Sequence, residues 1–203
     1  MNIILASSSP RRRELLMQLG LPFEVIPSDV PENGIEGETH ESYVQRIAEL
    51  KAQCVGAKRK GSLVIGADTV VVVGALRLGK PASREEARKM LRLLSGKRHD
   101  VMTGFAVTWL DQNFRATGIE KTGVWFKNLK PADVERYISS SEPYDKAGGY
   151  GIQGEAASFI EKIEGEISNV IGLPLLRIGD ILKKAGGLSI SKSFQPGLKA
   201  QAG

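Results

Sequence analysis

The hydrophobic pattern is densest at Leu63-Val64-Ile65-Gly66-Ala67-Asp68-Thr69-Val70-Val71-Val72-Val73. The run is too continuous for a strand with one wet face and predicts a strand buried on both faces. Upstream, Ile3 to Ala6 and Phe23 to Ile26 read as short apolar strands. Between them Leu15, Leu16 and Leu19 recur at helical spacing, with Ser9 as N-cap, Pro10 at the first helical position and Gly20 as the stop. Thr39 caps a second predicted helix reaching about Ala57, with Tyr43, Ile47, Leu50 and Cys54 as its apolar stripe.

After the central run, Gly74-Ala75 makes a tight turn into a short strand ending near Leu78. Ser83 with Glu86 forms a capping box, and Ala87, Met90, Leu91 and Leu94 supply a buried helical face ended by Gly96. Lys97 to Trp109 alternates as a strand, turns at Asp111-Gln112-Asn113 and returns to about Phe126. That hairpin makes the sheet mixed rather than wholly parallel. A helix opens at Pro131 and runs through Ile138, Ser158 to Ile163 reads as a strand, and Pro174 opens a last helix with Leu175, Ile178, Ile181 and Leu182 inward. No internal repeat or clean linker interrupts the pattern. Residues 1–187 therefore read as one α/β domain of two lobes, and 188–203, poor in apolar side chains, as a disordered tail.

Three features stand out against this pattern. The first is Asp68, a carboxylate inside an apolar strand. Such a group needs a cation, a metal ion or hydrogen-bond donors, although a strand-end Asp bonded to turn backbone meets the same description. The second is Ser7-Ser8-Ser9-Pro10-Arg11-Arg12-Arg13, a hydroxyl-rich loop leading into a helix N-terminus. Arginines in a first turn oppose the helix dipole, which suits an anion site; a solvated basic turn is the simpler alternative. The third is Glu142 to Gly154, four glycines among thirteen residues, where the backbone can bend sharply or approach a ligand, as can any surface loop. Lys51 lies one position off the apolar stripe, either solvated or reaching a neighbouring cleft.

Composition narrows the chemistry. The chain has 203 residues, 41% hydrophobic and 25% charged, as soluble globular proteins do. No apolar run approaches the ~20 residues of a membrane span, and the first residues read as a strand rather than a signal peptide. One cysteine, Cys54, suits a reducing cytoplasm and fits the core better than a nucleophile's place. With only His40 and His99 beside it, zinc is a poor prospect, and a hard cation on oxygen ligands is the better one. A net charge of +5, part of it in the tail, is too mild to argue for nucleic acid.

Several stretches together carry a resemblance. Ala6-Ser-Ser-Ser-Pro-Arg-Arg12, Gly66-Ala-Asp-Thr-Val70, Lys80-Pro81, Leu94-Ser-Gly-Lys97 with His99 and Thr103-Gly104, and Glu142-Pro143 through Gly154 occur in the order of the Maf family of nucleoside triphosphate pyrophosphatases. The chain resembles that family over about residues 1–185, with Ser8 where glycine is often seen. The resemblance implies a Maf/Ham1 (ITPase-like) fold: an elongated mixed β-sheet flanked by helices, two lobes with a deep cleft, and a homodimer. It implies cytoplasmic, metal-dependent hydrolysis of a nucleoside triphosphate to the monophosphate and pyrophosphate, with Mg²⁺ or Mn²⁺ as cofactor. Asp145 to Gly154 looks like the dTTP/UTP branch rather than the 7-methyl-GTP branch.

Carried over by motif, Asp68 is the expected catalytic acid, and Arg12, Thr69 and Gln153 are the expected specificity positions. Ser7, Lys51 and Lys80 match polar positions of the family cleft, and Glu32 an acidic one. Asp68 and Glu32 are the candidate metal ligands. Arg11, Arg12, Lys51 and Lys80 would neutralise a triphosphate. Two other classes compete. A nucleic-acid-binding module would need aromatics for stacking, which 6% aromatic content barely supplies, so no specific nucleic-acid partner is expected. A septum-associated regulatory protein would leave Asp68 unexplained.

Overall fold

The computed structural model describes residues 2–186; the expected tail, 188–203, lies outside the described residues. The chain divides into two compact units. The first holds the described residues of Met1–Asp68, Thr103–Glu120 and Gly172–Lys199, the second those of Thr69–Met102 and Lys121–Ile171.

In chain order the elements are β1 (Asn2–Leu5), α1 (Pro10–Met17), β2 (Glu24–Val25), α2 (His40–Lys58), β3 (Ser62–Val73), β4 (Leu76–Leu78), α3 (Arg84–Leu94), β5 (Arg98–Trp109), β6 (Phe114–Phe126), α4 (Pro131–Tyr137), β7 (Ile160–Glu164), α5 (Ile167–Ile171) and α6 (Leu175–Gly186). The strands form a seven-stranded sheet in the order β2-β1-β3-β5-β6-β7, with β4 paired to β3. β1 pairs parallel to β2 and β3, with Ile4 opposite Val64 and Leu5 opposite Ile65. β4 pairs antiparallel to β3, and β7 antiparallel to β6. β5 and β6 are joined through Leu110–Gln112 and a left-handed Asn113 at φ 48°. That link is too short for a crossover, so these strands run antiparallel. The sheet is mixed, as the hairpin pattern requires. Among the described residues no helix is long and apolar enough to cross a membrane.

The helix starts follow the capping chemistry of the sequence. Ser9 Oγ accepts from the Arg12 backbone N–H at 3.4 Å, and Thr39 Oγ1 from that of Ser42 at 3.1 Å. Ser83 Oγ accepts from the Glu86 N–H at 3.1 Å, while the Glu86 carboxylate returns to the N–H of Ala82, one residue before the cap, at 2.6 Å.

Three elements depart from the sequence reading. β7 begins at Ile160 rather than Ser158, because Glu155–Phe159 winds into a 3-10 helix that buries Ala156 and Phe159. The five-residue α5 is too short to leave a helical period in the sequence. The buried face of α2 is Tyr43, Val44, Ile47, Ala48, Lys51, Ala52 and Val55, while Leu50 is exposed and Cys54 half-buried. Of the expected stripe Tyr43 and Ile47 are buried, but where α2 meets β3 the buried cluster includes small residues, Ala48 and Ala52, alongside Ala6 and Ala106. A Cβ at Gly66 would stand 2.2 Å from the Ala48 carbonyl oxygen, and one at Gly104 2.2 Å from that of Val44. These two glycines are what allows α2 so close to the sheet.

The second unit is packed around Leu91, Leu94, Val124, Phe126, Tyr137, Tyr150 and Phe159, among others. His99 lies within it, 1% exposed. Its Nε2 and the Tyr150 hydroxyl are 2.6 Å apart, and its ring meets Phe126 and Tyr150 edge to face at 5.0 and 5.4 Å. Burial pushes the His99 pKa down to about 4, only partly opposed by the charge of Asp100. Between the unfolded value near 6.5 and about 4, the unfolded chain binds a proton that the folded chain does not. Stability is therefore lost as pH falls through that window. In an NMR titration the His99 ring should stay neutral down to about pH 5, and a midpoint between about 6 and 7 would show that the ring is not held in a desolvated site.

Candidate functional site

The site is built around the C-terminal part of the first unit's stretch of β3. Gly66 and Asp68 are two residues apart and so share one face of the strand. The Ala48–Ala52 turn of α2 lies against Gly66, which brings Lys51, on the same helical turn, over Asp68. Lys51 Nζ stands 2.8 Å from Asp68 Oδ1 and 2.7 Å from Glu32 Oε1. The side chains of Lys51 and Asp68 are 8% and 9% exposed, and that of Glu32 53%. One ammonium thus joins a buried carboxylate to an exposed one.

Glu32 sits in the loop between β2 and α2, and α2 holds that loop at several points. The Tyr43 hydroxyl donates to the Glu32 carbonyl at 2.8 Å. Arg46 makes a bidentate pair with Glu38, Nε to Oε1 at 2.6 Å and Nη2 to Oε2 at 2.7 Å, and donates to the Asn33 carbonyl at 3.0 Å. The Glu38 bonds hold the Arg46 guanidinium above its ordinary pKa. Neither tie was legible in the sequence, because a helix-to-loop pair leaves no periodic signal.

The hydroxyl-rich loop faces the same group. Arg12 Nε donates to the Gly172 carbonyl at 2.8 Å, and Nη1 to Ser7 Oγ at 3.3 Å. Ser7 is buried, and its Oγ also accepts from the Ser9 N–H at 3.2 Å. Burial lowers the Arg12 pKa; Asp68 and then Glu32 oppose that, and the neighbouring Arg11 adds to it. The guanidinium is therefore a desolvated cation within reach of both carboxylates. Ser7, Arg12, Glu32, Lys51 and Asp68 come together here, with Arg11 at its edge. The Gly172 carbonyl belongs to the group too, and as a backbone atom it has no signature in the sequence.

Thr69, Lys80 and Gln153 stand in the second unit. Thr69 is half-buried, whereas Lys80 and Gln153 are exposed. Within that unit the glycine-rich segment is tied to the residue before Lys80, the Gly148 N–H donating to the Gly79 carbonyl at 2.9 Å.

Glu32 and Asp68 offer oxygen donors to a hard cation, which fits Mg²⁺ or Mn²⁺ and not zinc. Among the described residues no cluster of three or more His, Cys, Asp or Glu side chains could hold a metal alone. Further ligands would have to come from water and a bound anion, the arrangement in which Mg²⁺ is commonly held.

The two ion pairs of Lys51 have nearly equal lengths and unequal burial, so they should differ in worth. Lys51→Met, which leaves Asp68 without its closest cation, should cost about 3 kcal/mol in urea unfolding, whereas Glu32→Gln should cost less than about 1 kcal/mol. Equal costs for the two variants would show that burial does not govern the group.

Residues 2–185 match the family model described as Maf-like protein. A Syntrophus aciditrophicus (strain SB) protein named dTTP/UTP pyrophosphatase is 47% identical over 189 residues, 93% of this chain and 92% of its own length. Proteins of the same name from Pelotomaculum thermopropionicum (strain DSM 13744 / JCM 10971 / SI) and Geotalea uraniireducens (strain Rf4) are 50% and 47% identical, over 91% and 92% of this chain and 96% of each relative. The Staphylococcus aureus Ham1 protein shares the fold, with a TM-score of 0.52 at 16% identity, covering 91% of this chain and all of that one. With the match spanning nearly every described residue, the chain belongs to the Maf-like protein family.

Proposed function

We propose that this protein is a nucleoside triphosphate pyrophosphatase that hydrolyses dTTP and UTP to the monophosphate and pyrophosphate. The observation that carries the chemistry is the buried Asp68 carboxylate held 2.8 Å from Lys51, with Arg12 lowered in pKa beside it. The substrate rests on the relatives named dTTP/UTP pyrophosphatase at 47–50% identity over more than nine-tenths of the chain.

A triphosphate is a dense anion at neutral pH. Arg11, Arg12, Lys51 and Lys80 would neutralise it, and the Ser7 hydroxyl would orient phosphate oxygens. Cleavage between the α- and β-phosphates needs water in line with the leaving pyrophosphate. Asp68 would orient that water and accept its proton as the new P–O bond forms and the bond to the bridging oxygen breaks. A divalent cation held by Asp68 and Glu32 would supply Lewis-acid stabilisation of the phosphate charge. The Gln153 amide has both a donor and an acceptor, which would suit the O4 and N3–H edge shared by uracil and thymine. Arg12 and Thr69 complete the specificity positions. The same reading carries a homodimer and a cytoplasmic location, as the family resemblance implies.

Cytosine reverses the pattern at position 4 and at N3, leaving polar groups unpaired at about 1–3 kcal/mol each. The test is a nucleotide panel assayed for pyrophosphate, with Mg²⁺ and with excess EDTA. UTP and dTTP should exceed CTP by at least ~10-fold in kcat/KM, turnover should stop in EDTA, and the product should be pyrophosphate. Direct release of orthophosphate, or equal rates for UTP and CTP, would contradict the proposal.

A further inference from the structure

The segment carrying Gln153 is gripped by one side chain from earlier in the second unit. Glu142 opens a 3-10 turn, Glu142–Asp145, and is half-buried. Its Oε2 accepts from the Glu155 backbone N–H at 2.9 Å, and its Oε1 from the Tyr137 hydroxyl at 3.1 Å. Gly154 lies between these two contacts. A Cβ built there would stand 2.3 Å from each carboxylate oxygen, so the carboxylate rests directly on the residue after Gln153. No side chain fits at 154 while Glu142 holds this position.

A second contact repeats the device two residues before Gln153. Lys146 Nζ donates to the Glu142 carbonyl at 2.7 Å and to Asp145 Oδ1 at 2.6 Å, which draws its stem across Gly151. A Cβ at Gly151 would meet Lys146 Cε at 2.6 Å. Gln153 itself is exposed and makes no hydrogen bond among the described residues. Its place is therefore set by the backbone on either side, at Gly151 and Gly154. Tyr137, the other partner of Glu142, is a fixed point: it is fully buried and packs edge to face on Phe159 at 5.2 Å. Burial, with the nearby Glu142 charge, keeps its hydroxyl protonated far above the ordinary range, so it remains a donor to the carboxylate.

The geometry points to Glu142 as a positioning residue for base selection: it fixes the Gly151–Gly154 backbone, and with it the place from which the Gln153 side chain reaches the pyrimidine edge. The inference rests on the reading that Gln153 meets the base. A carboxylate bonded to a backbone N–H and a buried hydroxyl holds a loop more firmly than a neutral amide can. An exposed amide on a loose loop pairs with cytosine almost as well as with uracil, so rigidity is what turns Gln153 into a discriminator.

The test compares kcat/KM for UTP and CTP in Glu142→Gln, Gly154→Ala, Gln153→Ala and the double variant Glu142→Gln/Gln153→Ala. Glu142→Gln and Gly154→Ala should each lower the UTP-to-CTP ratio by about 10-fold, with the loss in KM for UTP and kcat largely kept. The double variant should be no less selective than Gln153→Ala alone, because the two residues act through one contact. A defect confined to folding would lower UTP and CTP turnover equally and leave the ratio alone. If Gln153→Ala collapses the ratio while Glu142→Gln and Gly154→Ala preserve it, the positioning role is wrong and the base reading stands. If Gln153→Ala itself leaves the ratio unchanged, the base is read elsewhere and both fall. Hydrogen exchange at the Glu155 amide gives a check independent of substrate. Loss of protection there in Glu142→Gln with an unchanged ratio would also overturn the role.

Discussion

The first unit depends on how closely a helix can approach a strand. Asp68 is affordable inside β3 only because Lys51 reaches it, and Lys51 reaches it only because α2 rests against Gly66 and Gly104 without intervening side chains. A carboxylate buried without a cation would cost several kcal/mol and would give up its charge. Small residues at Ala48 and Ala52 and bare backbone at Gly66 are thus electrostatic devices as much as packing ones. They set the distance at which an ammonium and a carboxylate can neutralise each other out of water.

The same ammonium faces outward to Glu32, which is more than half exposed and sits on a loop tied down by Tyr43 and Arg46. The group therefore runs from a rigid, buried acid through a lysine to an acid that solvent can reach. Arg12 closes it from the α1 side, part-buried and anchored on the Gly172 carbonyl. Such an arrangement has cations to offer an incoming phosphate and carboxylates to offer water or a metal. The second unit works by other means. Gln153 there is exposed, and order around it comes from contacts onto glycine backbone, with Glu142 and Lys146 lying against Gly154 and Gly151.

Much of the fold was legible because it is written in local chemistry. Ser9, Thr39 and Ser83 announce helix starts, and the apolar run around Asp68 announces a strand without a wet face. Asp68 drew notice because a carboxylate breaks that run. What was not legible depends on contacts between distant elements. From its helix position Lys51 reads equally as solvated or as reaching a cleft, and the packing of α2 on β3 is what turns it inward. Of the four α2 stripe positions, Tyr43 and Ile47 are buried, whereas Leu50 is exposed and Cys54 half-buried because small Ala48 and Ala52 take the contact with the sheet. The Gly172 carbonyl and the Glu142 carboxylate are positioned by the fold alone, the first as a backbone atom and the second as one acid among many. The resemblance groups Asp68, Lys51 and Arg12 in one cleft, but the contacts that join them are written in no local pattern of the sequence.

On the proposed function, the carboxylate of the buried Lys51–Asp68 pair serves the chemistry rather than the fold. Asp68→Asn, a nearly isosteric change to a side chain that cannot act as a base and is a poor metal ligand, can be followed in parallel by UTP turnover and urea unfolding. Turnover should fall by at least ~10³-fold, in a folded, cooperative protein that unfolds within about 2 kcal/mol of the parent. Near-parental turnover in a folded Asp68→Asn protein would contradict that role, making Asp68 a structural acid and the chemistry the work of other residues.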